Sequence, residues 1–167
     1  MTHPFFGTSL RRDPEQSPDL HARIDAQLAE RLEEAVDFVC LDALVQSRRA
    51  HGLSAPVADS EADRAEFTTS VGALLARLER ELLSDLTIED QRRLRQRAGG
   101  ADGEHAALKL QVLLARERPD YWQRFDAVRE AYTAEYVAHG DERRPADGSR
   151  PRSRRERSPL GRLFSRG

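Results

Sequence analysis

The residues of this chain best suited to chemistry are its carboxylates, five histidines, one cysteine and a large set of arginines, and their spacing decides what each can do. A di-iron centre in a helical bundle needs Glu-x-x-His pairs on facing helices, because residues three apart share a helix face and can ligate one metal. No such pair occurs. The nearest spacings are Asp102 with His105 and Glu135 with His139, one pair per helix and each at a helix end, so no metal site and no cofactor is expected. A phosphate-cradling glycine loop, a Gly-x-Ser-x-Gly elbow and a cysteine-histidine pairing are also missing from the sequence. Asp37 and Asp42 interrupt the apolar run AVDFVCLDALV, where a buried acid would have a raised pKa. They stand about 140° apart around a helix, so each is expected to border the buried stripe and reach water or an arginine. Cys40, in the same run, reads as a buried reduced thiol rather than a nucleophile.

The arginines form two groups. Arg92, Arg93, Arg95 and Arg97 crowd a short helix around the lone apolar Leu94, and such a cluster can grip phosphates or an acidic partner. The competing reading is a solvated face, since Glu89 and Asp90 lie one turn earlier and can pair along the helix. The second group, Arg152, Arg154, Arg155 and Arg157, lies in the tail DERRPADGSRPRSRRERSPLGRLFSRG, which is rich in Arg, Ser, Pro and Gly. Residues 148–167 hold seven arginines and one glutamate, a charge of +6, leaving −8 on the rest of a chain whose formal total is −2. A basic tail on an acidic body can fold back on it or recruit an anionic partner, nucleic acid included. Only Lys109 among the 27 basic residues is lysine, a bias along the whole chain that reads as GC-rich coding and weakens any argument from arginine alone.

After this polar stretch a small apolar cluster, Leu160, Leu163 and Phe164, reappears within the last ten residues, SPLGRLFSRG. The layout suits a short docking peptide on a spacer that sets its reach. In that layout Ser158–Gly167 resembles the C-terminal targeting peptides of cargo proteins packed into bacterial encapsulin shells, which implies a protein partner that receives the peptide. The rest of the chain lacks the metal-ligand pairs of ferritin-like cargoes. A segment that packs on its own bundle is the alternative.

The elements that must position these groups follow from apolar periodicity. Leu20, Ile24, Leu28, Leu32 and Val36 recur every four residues from Pro18 onward and predict one stripe along a helix running to about His51. Asp59 or Ser60 caps a second helix carrying Phe67, Val71, Leu74, Leu75, Leu78 and Leu82, in which Gly72 either marks a close backbone crossing or is simply tolerated. Thr87 starts a short third helix that ends at Gly99-Gly100, and Asp102 or Gly103 begins a fourth that ends at Pro119. Asp120 caps a fifth, with Tyr121, Phe125, Val128, Tyr132 and Tyr136 at helical spacing.

The expected fold is therefore all-α, a four- or five-helix bundle over residues 18–140, preceded by a loose arm, 1–17, and followed by a disordered tail, 141–167. A mean hydropathy of −0.71 leaves room for such ends. With no signal peptide or membrane span in the sequence, the expected location is cytoplasmic.

The function these features predict is a non-enzymatic protein-interaction protein, adaptor or cargo-like, with the tail as docking peptide. One alternative is a nucleic-acid-associated regulator using the tail and the arginines of the third helix. Another is a helical enzyme or cofactor carrier with a site drawn from Asp37, Asp42, His105 or Tyr132. The long first helix can also pair with a copy of itself, giving a homo-oligomer.

Overall fold

Five helices form in a computed structural model that describes residues 17–99 and 104–140: α1 (Ser17–Ala50), α2 (Glu61–Leu83), α3 (Ile88–Arg97), α4 (Glu104–Glu117) and α5 (Tyr121–Ala138). The described residues contain no strand. Residues 1–16 of the arm, the tail and the proposed helix start at Asp102 or Gly103 lie outside them.

Local chemistry sets most boundaries. Ser60 caps α2 by accepting from the Asp63 amide, and Thr87 caps α3 by accepting from the Asp90 amide while its hydroxyl donates to the Asp90 carboxylate. Each satisfies a backbone donor that the first helical turn leaves without a partner. Asp120 does stand at the N-cap of α5, but its side chain makes no capping bond and instead meets Arg118 at 3.4 Å. Gly52 and Gly99, just past the ends of α1 and α3, take positive φ, which glycine adopts without steric cost.

Side-chain pairings fix the directions of the helices. Arg48 near the end of α1 meets Asp63 and Glu66 near the start of α2, so α1 and α2 are antiparallel. Tyr132 meets Ser70 and Tyr136 meets Glu66, so α5 is antiparallel to α2 and parallel to α1. Arg116 at the end of α4 reaches Asp25 near the start of α1. The core lies between α1, α2, α4 and α5, with Leu32, Leu44, Leu74, Leu78, Leu114 and Tyr121 fully enclosed. The α5 aromatics expected to be core are core: Tyr121, Phe125, Tyr132 and Tyr136 are all buried. α4 buries Leu110, Val112 and Leu114 and touches all four other helices.

One expectation changes, and one of the two readings of Gly72 falls away. The every-fourth-residue stripe of α1 does not stay on one face: each step of four residues turns about 400°, so it drifts about 40° around the helix. Leu32 and Val36 are buried, Leu28 is half-buried, and Leu20 and Ile24 are exposed. Residues 19–24 are all exposed, so the first turns of α1 project beyond the bundle. Gly72 marks no close crossing, because a Cβ there would meet nothing within 4 Å.

Candidate interaction surface

A polar seam joins α1, α2 and α5. Arg48, its side chain only 9% exposed, donates to Asp63 Oδ1 at 2.7 Å and to Glu66 Oε2 at 2.9 Å. Asp63 also accepts from the Val57 amide, and Glu66 from the Tyr136 hydroxyl at 2.7 Å. One turn further along α2, the hydroxyls of Ser70 and Tyr132 are 2.6 Å apart, and Tyr132 donates to the Ser70 carbonyl oxygen. Cys40 lies against Ser70, and burial pushes its thiol up to about 11. An open groove of about 550 Å³ runs over the seam, and of its lining Glu66, Ser70, Tyr132 and Tyr136 are engaged with one another in these pairs. Such a network holds helices in register; it does not present a reactive group.

The residues named for a hidden enzyme site do not converge. Asp37 and His105 are exposed, Asp42 accepts from Gln46, and Tyr132 is committed to Ser70. Asp37 borders the buried stripe, and partial desolvation raises its pKa. No group of three or more metal-binding side chains occurs among the described residues.

The arginine cluster of α3 is mostly engaged within the molecule. Arg93 pairs with Glu89 at 2.6 Å, Arg95 with Glu79 of α2 at 2.9 Å, and Arg97 with Glu117 of α4. Arg92 is exposed and makes no ion pair among the described residues. Two of the four guanidinium groups thus fasten α3 to neighbouring helices. Three further arginines do similar work: Arg118 and Arg124 both meet Asp85, and Arg31 sits 4.0 Å from the ring centre of Trp122.

The outward face of α1 is different. Phe38 is 65% exposed and Leu41 49% exposed, although both fall in the most apolar run of the sequence. With half-buried Val45 they occupy positions i, i+3 and i+7, one continuous ridge on the helix. Glu30, Glu33, Glu34 and Asp37 flank the ridge, all exposed and none ion-paired among the described residues. Their spacings of three and four set like charges side by side, each such pair costing about 0.2–0.5 kcal/mol. Folding alone favours neither the exposed ridge nor the repelling acids.

The remaining candidates, Leu160, Leu163, Phe164, Arg152, Arg154, Arg155 and Arg157, lie outside the described residues. Residue types gave no warning of the Arg48 seam. For the α1 ridge the signal was present: an apolar run filling more of the helix circumference than one buried face can use. No helix among the described residues is long and apolar enough to cross a membrane. No protein-family model, no curated protein and no solved structure matches the chain.

Proposed function

We propose that this protein is a non-enzymatic interaction module, a helical bundle that binds a protein partner through the outward face of α1, with its C-terminal tail as a second attachment point. The observation that carries this reading is the Phe38, Leu41 and Val45 ridge with an acidic border that makes no ion pair among the described residues. Exposed apolar side chains rimmed by charge are what a partner surface requires, the apolar groups supplying affinity and the charges register. The chemistry of the face calls for a partner segment that is apolar in the middle and basic at its edges. Nucleic-acid association keeps less support within the bundle, because Arg93, Arg95 and Arg97 are already paired.

The test is affinity capture from native lysate, with and without nuclease treatment, using three proteins: the full chain, its Phe38→Ser/Leu41→Ser variant, and a chain ending at Asp147. A stoichiometric protein lost with the ridge variant is the predicted result. Captured material that is unaffected by the ridge variant and disappears only after nuclease treatment would favour nucleic acid instead.

A further inference from the structure

We infer that the outward face of α1 is covered, when no partner is bound, by the C-terminal segment Arg150–Phe164 of the same molecule. The inference rests on the reading of that face as a binding surface and names its resident occupant.

Charge and chemistry match on the two sides. The face offers Phe38 and Leu41 beside four exposed acids; the segment carries Leu160, Leu163 and Phe164 after a run of arginines, and residues 148–167 bear +6 against −8 on the rest. Each side supplies what the other lacks: apolar side chains to cover the ridge, and guanidinium groups to relieve carboxylates that repel one another.

The exit point of the chain also fits. α5 ends beside the last turns of α1, where Gly140 lies so close to Ser47 that a Cβ would collide with the Ser47 hydroxyl. The tail therefore starts at the C-terminal end of α1. From Ser47 back to Glu30 is about 26 Å along the helix at 1.5 Å per residue. Ser47 is buried, nine residues beyond Phe38 and therefore on the opposite side of α1, so the chain must also pass around a helix about 10 Å across. The twelve residues from Gly140 to Arg152 can extend to about 40 Å, which covers both distances, so the arginines can reach the acids. Leu160, Leu163 and Phe164 then return over Leu41 and Phe38, nearer the exit, with Pro159 and Gly161 in sequence positions suited to a turn. A partner would have to displace this segment, which makes the tail an internal competitor for the face.

The test places a nitroxide on Ser165→Cys in the full-length chain and maps its broadening of backbone amide signals by NMR. Cys40 is buried and its thiol raised, so the introduced cysteine is the one that reacts at neutral pH. The expected result is signal loss centred on residues 30–42, unchanged on dilution, and abolished by Glu34→Lys/Asp37→Lys or by high salt. No loss, loss centred on another helix, or loss that fades on dilution because it arises between copies would each overturn the inference. The charge-reversed variant changes exposed side chains only, so an intact spectrum establishes that it still folds. Partner capture that needs Phe38 and Leu41, combined with no signal loss on α1, would remove the internal dock and leave the interaction reading standing. Signal loss on α1 without any such capture would do the reverse.

Discussion

Replacing Arg48 with Met leaves two carboxylates, Asp63 and Glu66, without their shared cation in a seam where their side chains are 16% and 9% exposed. Breaking a buried ion pair from one side costs about 3–5 kcal/mol, because the remaining charge keeps its desolvation penalty and loses its compensation. The Val57 amide and the Tyr136 hydroxyl still serve the acids, which places Arg48→Met at the lower end, about 3 kcal/mol. Chemical denaturation followed by circular dichroism reads this directly as a lower midpoint at unchanged slope. Adding Glu66→Gln to Arg48→Met should recover part of the loss, since the second change removes one stranded charge, and the non-additivity measures the coupling. A cost below about 1 kcal/mol would refute the reasoning, for that is what an exposed pair contributes. Full additivity of the two substitutions would refute it as well.

Gly72→Ala should stabilise the bundle by about 1 kcal/mol, because the position is helical, exposed and open; a thermal melt that moves down instead would mean that a neighbour occupies that space. Asp85, held well below the usual carboxylate range by Arg118 and then Arg124, contributes stability that is present above its unfolded pKa of about 3.9 and lost as pH falls through its lower folded value. Asp85→Asn should therefore weaken the protein at neutral pH, and its deficit should shrink as pH drops below about 4. A deficit that is constant with pH would mean that the carboxylate acts by packing rather than charge.

Much of the fold was legible because its signals are local. Ser60 and Thr87 announce helix starts through their own hydroxyls, and Tyr121, Phe125, Val128, Tyr132 and Tyr136 repeat at a spacing that only a buried helical face explains. The α1 stripe shows where a local pattern stops deciding. A strict repeat of four walks around the helix, and neighbouring helices determine which part of the walk is buried. Phe38 and Val39 are equally apolar in sequence, yet one faces outward and the other packs inside, a difference set by where α2, α4 and α5 lie. Arg48 illustrates the opposite case: nothing around it in the sequence marks it, and its partners are 15 and 18 residues away on the next helix. The arginines of α3 are adjacent in sequence, but the pairing of Arg95 to α2 and Arg97 to α4 depends on packing that the sequence does not display.

The central claim is that the outward face of α1 meets a protein partner, and photo-crosslinking inside the cells that make the protein tests it most directly. A photoreactive residue replaces Phe38 in one full-length variant and exposed Glu130 of α5 in another. The account predicts one dominant crosslinked protein from position 38, absent from position 130. Identical products from both positions, or none from position 38 while the protein is folded and abundant, would contradict it.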